Sequence, residues 1–245
     1  MKKLVIPEKS VHAGSLILVN QQHPYCSKNA ESYLVPACTD SKVLLERKAA
    51  ALLSKLMSSI EGWDQISAVS GWRSRQEQQE IYDQSLRDSG TAFTEQFVAM
   101  PDHSEHQTGL AIDLGLRNSE IDFIRPSFPY SGICQVFREK AVTYGFIERY
   151  PKGKEAITGI AHEPWHFRYV GVPHATIMTK FGLTLEEYHD FLKQYPLEKK
   201  HFLYRTGNQN IAGSYIKTAD GVDTEFEIED HILYSVSGNN ADGFV

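Results

Sequence analysis

The sequence contains few cysteines and no long apolar run. Its 245 residues include three cysteines, Cys26, Cys38 and Cys134, and none forms a CxxC pair. An odd and sparse set of this kind predicts reduced thiols in a reducing compartment. No stretch approaches the ~20 consecutive apolar residues of a membrane span. The apolar start is interrupted at Pro7-Glu8-Lys9, short of the ~7–15 residues of a signal-peptide core, so we predict a soluble cytoplasmic protein.

Basic residues are also scarce relative to acidic ones. The chain has 25 Lys and Arg against 31 Asp and Glu, which gives a net charge of −6. Such a chain lacks the general attraction for phosphate, so we predict neither a nucleic-acid partner nor an anionic membrane surface. Apolar residues make up 41% and charged residues 23%. This balance is typical of a globular protein and excludes disorder, collagen-like repeats and coiled coil as descriptions of the whole chain.

Hydrophobic periodicity predicts helices and strands that alternate along the chain. The predicted helices cover residues 41–60, 74–86 and 132–144, with two shorter ones after 173 and 184; the predicted strands are 16–19, 66–70, 110–114, 146–150 and 165–170. Ser74 and Glu77 form a capping box at the start of the second helix. Residues 87–108 are predicted to form a long irregular loop, and loops of this length are often functional. We therefore predict an α+β fold with a small mixed or antiparallel sheet flanked by helices.

The texture of the sequence changes after Tyr195-Pro196. From 200 to 236, short alternating apolar segments are separated by Gly, Asn and Asp, a pattern typical of short strands and turns. We predict a main domain over residues 1–196 and a small β-rich appendage over 197–245.

One candidate metal site lies in the segment SEHQTGLAID, residues 104–113. His106 lies at the end of the predicted loop, and Asp113 lies between Ile112 and Leu114 in a predicted strand. A carboxylate among apolar neighbours is costly to bury unless it is paired or binds a cation. Imidazole and carboxylate together suit zinc. The alternative that this segment leaves open is a capped loop with an Asp bonded to backbone amides.

A second polar segment, HEPWH at residues 162–166, matches the letters of the HExxH zinc motif. That motif requires a helix, which places its two histidines on one face. Here Pro164 interrupts the segment and favours an extended conformation for Glu163. We therefore place Glu163 in a turn and His166 at the start of a strand. Across such a turn, the Glu163 carboxylate can act as a base towards a water molecule that His166 helps to hold.

Two alternatives for this second segment stay open. In a helical site, His162 and His166 would be ligands together with Glu186 or Glu187, some twenty residues on. In a purely structural role, His166 would be a hydrogen-bonded core residue. His103 and His162 flank the motifs and could support a metal site without binding the ion.

A third polar segment, SGWRS at residues 70–74, lies between a predicted strand and a capped helix. Arg73 is thus held by short, rigid elements. A fixed guanidinium can stabilise a developing oxyanion or bind a carboxylate through two hydrogen bonds. The alternative is an arginine that pairs with a surface acid.

Taken together and in this order, SGWRS, SEHQTGLAIDLG and EPWHFRYVG resemble the VanY/VanX family of zinc D,D-peptidases, and most of all its bifunctional VanXY type. The resemblance covers roughly residues 15–190. It implies that His106, Asp113 and His166 bind one zinc ion. It also implies that Glu163 is the catalytic base and that Arg73 stabilises the transition state. Gln78 and Ser104 are implied to lie near the substrate's terminal carboxylate or carbonyl.

The same resemblance implies the substrate and the biological role. The implied substrates are peptidoglycan precursors that end in D-Ala-D-Ala, either the free dipeptide or the end of the pentapeptide. Their removal implies a role in glycopeptide (vancomycin) resistance. Residues 87–103 and 124–132 are the predicted walls of the substrate pocket. Two alternatives remain: an endolysin-type cell-wall peptidase of the same fold, and a zinc module that binds without catalysis. A base at Glu163 and an arginine at position 73 argue against the second, because a structural zinc needs neither.

Overall fold

The computed structural model describes two units of the chain. The described residues are 2–6, 12–26, 33–39, 41–117 and 122–193, together with short strands at 202–206, 209–212, 214–215, 224–228 and 235–236. One unit is formed by residues 1–18 with 185–245, and the other by residues 19–184. All three polar motifs lie in the second unit.

The described secondary structure alternates between strands and helices. The strands are β1 (Lys2–Ile6), β2 (Leu34–Pro36), β3 (Leu44–Glu46), β4 (Ile66–Ser70), β5 (Ala111–Leu116), β6 (Phe146–Tyr150), β7 (Glu163–Tyr169), β8 (Phe202–Thr206), β9 (Gln209–Ala212), β10 (Ser214–Tyr215), β11 (Thr224–Ile228) and β12 (Ser235–Val236). The helices are α1 (Arg47–Ser59), α2 (Arg75–Ser89), α3 (Thr91–Phe97), α4 (Gly132–Ala141), α5 (Glu155–Thr158), α6 (His174–Phe181) and α7 (Leu185–Lys193). Short 3₁₀ helices cover Gly62–Asp64, Glu105–Thr108 and Val142–Tyr144.

A four-stranded antiparallel sheet in the order β4-β5-β7-β6 forms the centre of the second unit. Its register places Ser70 opposite Asp113, and Asp113 opposite His166. Three polar residues thus follow one another across three neighbouring strands. Cross-strand partners lie about 5 Å apart, so this row brings distant parts of the sequence into contact.

Helices cover the apolar side chains of this unit. The helices α4 and α6 lie against β6, and α1 lies against α4. Between them, Phe128, Phe137 and Phe167 pack edge to face with ring centroids 4.8–5.7 Å apart. All three rings are buried, and edge-to-face packing of this kind adds to the stability gained from burial. The predicted α+β class, with a sheet flanked by helices, is confirmed.

Several predicted elements are also confirmed. The strand Ile66–Ser70 and the strand Phe146–Tyr150 are observed as predicted. The capping box opens α2: the Glu77 amide donates to Ser74 Oγ, and the Ser74 amide donates to Glu77 Oε2. These two hydrogen bonds satisfy amides that the first helical turn cannot pair internally.

Three predicted elements are wrong in part or in whole. Residues 16–19 form no strand but an irregular buried segment. The periodicity of so short an apolar run does not distinguish a strand from other buried structure. The first helix begins at Arg47, not at residue 41, because Glu46 Oε2 accepts the first free amides while Leu44–Glu46 pairs with β2. The predicted loop 87–108 contains α3 and the 3₁₀ helix Glu105–Thr108.

The other unit contains α7 and several two-stranded pairs. The strand β1 pairs with β11 and β8 with β9, both antiparallel, and β10 pairs with β12 in parallel. A boundary after residue 196 remains a prediction. Among the described residues, no helix has both the length and the apolar character that crossing a bilayer requires.

Candidate metal centre

Two histidines and one aspartate form a buried cluster on the central sheet. His106 Nε2 lies 3.1 Å from Asp113 Oδ2, and His166 Nδ1 lies 2.9 Å from Asp113 Oδ1. One candidate ligand atom from each residue lies within 4.8 Å of the other two. The two imidazole rings stand perpendicular, with centroids 5.0 Å apart. The structure thus brings together the three residues that the motifs single out.

The chemistry of this cluster fits a metal ion. Asp113 Oδ1 is buried and has no hydrogen-bond partner among the described residues, although His166 Nδ1 is close. A buried carboxylate oxygen without a partner is costly, and a cation would remove that cost. Two imidazole nitrogens and one carboxylate oxygen match the three protein ligands of catalytic zinc sites, which keep a fourth position open.

The charges of the three residues are set by their mutual contacts. Burial lowers the pKa of His106, and the nearby Arg73 lowers it further. Burial also acts to lower the pKa of His166, but nearby acids, with Asp113 first and then Glu105 and Glu163, raise it to about 9. Despite its burial, the two histidines hold the pKa of Asp113 below its usual range. Protonation of the His166 ring and metal binding by it therefore oppose each other.

His106 is oriented by the segment that precedes Arg73. Its Nδ1 lies 2.6 Å from the carbonyl oxygen of Gly71, which leaves Nε2 to face Asp113. A Cβ at Gly71 would lie 2.3 Å from the Leu44 carbonyl oxygen, so only glycine fits this close approach of two backbones. Gly109 ends the 3₁₀ helix that carries His106 with a φ of 73°, as expected for a glycine turn between loop and strand.

Glu163 lies beside this cluster but not in the predicted turn. It is the first residue of β7, where it pairs with Tyr150 across an irregular register. The prediction of a turn is wrong because Pro164, which lacks an amide proton, is tolerated near the start of a strand. Glu163 Oε2 lies 3.7 Å from His166 Nδ1. Burial raises the pKa of Glu163 to about 8, and the neighbouring Asp113 contributes in the same direction.

Arg73 points into the same cluster. Its Nε donates to Ser70 Oγ at 2.8 Å, and its two terminal nitrogens donate to Gln78 Oε1 at 3.3 Å and to Asp113 Oδ2 at 3.2 Å. The side-chain amide nitrogen of Gln78, Nε2, in turn donates to the Ala99 carbonyl oxygen. The partner of Arg73 is thus a buried acid rather than a surface acid, and Gln78 holds the guanidinium in place.

The candidate ligands, Glu163 and Arg73 line one cavity. The buried Ser104 lines it as well, next to the 3₁₀ helix that carries His106. Residues 97–99 and Ile124 contribute apolar walls, and they belong to the two segments that are predicted as walls. The cavity therefore combines polar groups at its base with apolar side chains around them, as is typical of small-molecule sites.

The helical alternative for residues 162–166 is wrong, because Glu163–Tyr169 is a strand. His162 instead stacks on Tyr130, with Nε2 2.7 Å from the phenol oxygen and 3.6 Å from Glu148. His103 Nδ1 lies 2.7 Å from the Asn20 carbonyl oxygen. Both histidines thus have partners outside the cluster.

Glu105 is not among the predicted site residues, although it lies between Ser104 and His106. Its Oε1 accepts hydrogen bonds from Arg149 Nε and Arg168 Nη1, both at 2.7 Å. All three side chains are completely buried, and despite that burial the two arginines hold the pKa of Glu105 below its usual range. The available signal was the two arginines themselves, since each lies next to an aromatic residue in a predicted strand.

Comparisons with known proteins identify the family of this chain. Residues 42–172 match a family described as VanY, D-alanyl-D-alanine carboxypeptidase. The chain is 44% identical over 183 residues to the bifunctional D-Ala-D-Ala dipeptidase and D-Ala-D-Ala carboxypeptidase VanXYC of Enterococcus gallinarum, which covers 74% of this chain and 96% of the relative. The resemblance that the motifs predict is thus confirmed.

Solved structures share the fold. The vancomycin resistance D,D-dipeptidase VanXYg, in complex with a D-Ala-D-Ala phosphinate analog, superposes with a TM-score of 0.88 at 45% identity, over 94% of this chain and 91% of that one. A mutant of the D,D-pentapeptidase VanY from a VanB-type resistance cassette, in complex with Zn(II), superposes with a TM-score of 0.60 at 32% identity, over 71% of this chain and 98% of that one.

Proposed function

Because the chain belongs to the VanY family of D-alanyl-D-alanine carboxypeptidases, we propose that it is a zinc-dependent D,D-peptidase. It hydrolyses the D-Ala-D-Ala dipeptide, removes the C-terminal D-Ala of the peptidoglycan precursor pentapeptide, or does both, and so contributes to glycopeptide (vancomycin) resistance. The observation that carries this proposal is the convergence of a metal-ligand cluster, a buried carboxyl and a fixed guanidinium on one cavity.

His106, Asp113 and His166 would hold one zinc ion. Zinc in such a site acts as a Lewis acid, which lowers the pKa of a bound water and polarises the scissile carbonyl. The three ligands come from two neighbouring strands and an adjoining 3₁₀ helix, so they are fixed by the backbone of the fold.

Glu163 is the proposed general base. Its carboxylate takes a proton from the attacking water and delivers it to the leaving amine. Burial raises the pKa of this carboxyl. A divalent cation in the neighbouring site would act in the opposite direction and favour the ionised form that a base requires.

Arg73 is the proposed stabiliser of the tetrahedral oxyanion. Its guanidinium is held by Ser70 and Gln78 before substrate binds, and a donor fixed in this way needs no reorganisation during the reaction. Gln78 and Ser104 line the same cavity, where their polar groups can accommodate the terminal carboxylate or carbonyl of a peptide. Gln78 also positions Arg73.

We also propose a cytoplasmic location. Cys26, Cys38 and Cys134 are all free thiols in the structure, as is usual for proteins of a reducing compartment. Precursor peptides that still end in D-Ala-D-Ala would be the substrate there. A cytoplasmic enzyme of this kind would remove the termini before they reach the cell surface.

Release of free D-alanine tests the proposed function. We would incubate zinc-loaded protein with D-Ala-D-Ala and, separately, with a pentapeptide that ends in D-Ala-D-Ala. Glu163→Ala should abolish release from both substrates while the protein keeps one zinc per chain. Glu148→Gln is the matched control, because Glu148 pairs with Arg138 outside the metal cluster, and it should retain activity.

The outcomes separate the remaining alternatives. Release from both substrates identifies a bifunctional D,D-peptidase, and release from one selects the dipeptidase or the carboxypeptidase. If the wild type binds one zinc but releases D-alanine from neither, the D,D-peptidase proposal is wrong. Cleavage of other bonds in cell-wall peptides would then favour an endolysin-type peptidase, and absence of any cleavage would favour a binding module.

A further inference from the structure

We propose that Glu105 is a positioning residue for the metal site: its Oε2 accepts the Nε2 proton of His166 and so fixes His166 with Nδ1 towards the metal. This inference rests on the proposed function, because it requires that His166 binds a metal ion. It assigns a role to Glu105, a fully buried acid next to the cluster that the proposed catalytic steps do not use.

Two unpartnered atoms face each other at this contact. Glu105 Oε2 and His166 Nε2 are both buried, and neither has a hydrogen-bond partner among the described residues. They lie 3.6 Å apart, slightly beyond hydrogen-bond length. A buried donor or acceptor without a partner is unfavourable, so each atom is the natural partner of the other.

His106 provides a precedent within the same site. Its Nε2 faces Asp113, while its remote nitrogen, Nδ1, lies 2.6 Å from the Gly71 carbonyl oxygen. His166 uses the opposite nitrogen towards Asp113, so its remote nitrogen is Nε2, and the acceptor there is Glu105. Metal-binding histidines generally donate their remote proton to a carboxylate or a carbonyl, which sets the tautomer and raises the basicity of the ligand.

The carboxylate of Glu105 is itself held in a fixed position. Arg149 in β6 and Arg168 in β7 both donate to Oε1, so the other oxygen is left for His166. Both guanidinium groups are completely buried and their strands are adjacent in the sheet. A charge-assisted contact with two arginines restricts rotation of the carboxylate, which makes Glu105 a rigid support rather than a mobile acid.

Zinc affinity tests this role directly. We would prepare metal-free protein and titrate it with Zn²⁺ in competition with a chelator of known affinity. Glu105→Gln removes the negative charge and should weaken zinc binding about 10- to 100-fold. Glu105→Asp keeps an anion for the two arginines but withdraws it from His166, so it should fold and still bind zinc more weakly than the wild type.

A matched control separates positioning from general loss of stability. Glu148→Gln removes a carboxylate that pairs with Arg138 at 2.9 Å but does not contact the metal cluster; it should lower stability and leave zinc affinity unchanged. The visible spectrum of the Co²⁺-loaded protein gives a second readout, which should shift in the Glu105 variants but not in Glu148→Gln.

The outcomes distinguish this inference from the proposed function. If the wild type binds no zinc, the proposed metal site itself is wrong. If the wild type binds zinc and both Glu105 variants bind it equally tightly, the positioning role is overturned while the proposed function stands. An equal loss of affinity in Glu148→Gln would also overturn it, because the effect would then follow stability alone.

Discussion

Replacement of Glu163 by Gln should stabilise the metal-free protein, and the gain should grow with pH. Only 7% of the Glu163 side chain is exposed, and burial raises its pKa from 4.5 to about 8. Between these two values the folded protein keeps a proton that the unfolded chain releases. The contribution of this proton to stability is complete below pH 4.5 and is lost as the pH rises towards 8. Glu163→Gln has no proton to lose.

The size of the effect follows from the width of this pH window. Each full pH unit in which only the unfolded carboxyl is ionised lowers the unfolding free energy of the wild type by about 1.4 kcal/mol. The range runs from pH 4.5, the ordinary pKa of glutamate, to pH 6.5, that of histidine. Over this range the unfolding free energy of the variant relative to that of the wild type should therefore increase by about 2 kcal/mol. Titration of Asp113 and Glu105 occurs in both proteins and cancels in the difference.

Urea unfolding in the presence of a chelator measures this difference. We would determine the unfolding free energy of both proteins at several values between pH 4.5 and pH 6.5. Glu155→Gln is a control that should show almost no trend in this range. Hydrogen bonds from the backbone lower the pKa of the exposed Glu155, so its contribution to stability changes mainly below pH 4.5. A difference between Glu163→Gln and wild type that stays constant or shrinks as the pH rises would refute the reasoning.

Three further predictions concern catalysis, folding and the thiols. Arg73→Ala should lower kcat about 10²- to 10³-fold with one zinc still bound, as steady-state kinetics and metal analysis would show; an unchanged kcat would exclude the oxyanion role. Gly71→Ala should lower the unfolding free energy by about 1–3 kcal/mol, because the new Cβ would lie 2.3 Å from the Leu44 carbonyl oxygen. Urea titration measures this free energy, and a variant as stable as the wild type would contradict the close approach. Replacing all three cysteines by Ala should leave kcat/KM unchanged, since the mechanism needs no covalent intermediate; loss of activity in a folded variant would refute that.

Much of the site could be predicted because its residues have chemistry that their surroundings do not explain otherwise. Asp113 lies in an apolar strand, and Pro164 prevents the helical interpretation of HEPWH. Such local conflicts between residue type and element are expected at functional sites. The capping box of Ser74 and Glu77 was equally local, and it predicted the start of α2 correctly.

What could not be predicted depends on contacts between distant residues. The burial and orientation of Glu105 depend on Arg149 and Arg168, which lie 44 and 63 residues further along the chain. The first helix begins late because Leu44–Glu46 pairs with β2, which periodicity within 41–60 does not indicate. Tertiary pairing overrides local propensity in such cases.

Backbone contacts hold the polar cluster together. Asp113 and His166 are opposite each other in the register of β5 and β7, so pairing of the strands sets their separation. The Arg73 amide donates to the His106 carbonyl oxygen at 3.2 Å, and the carbonyl of Gly71 accepts from the His106 ring at 2.6 Å. The segment that carries Arg73 and the one that carries His106 are therefore tied to each other twice. Since the backbone fixes these groups before any ligand binds, little reorganisation is left to the moment of reaction, which is the condition under which fixed charges contribute most to catalysis.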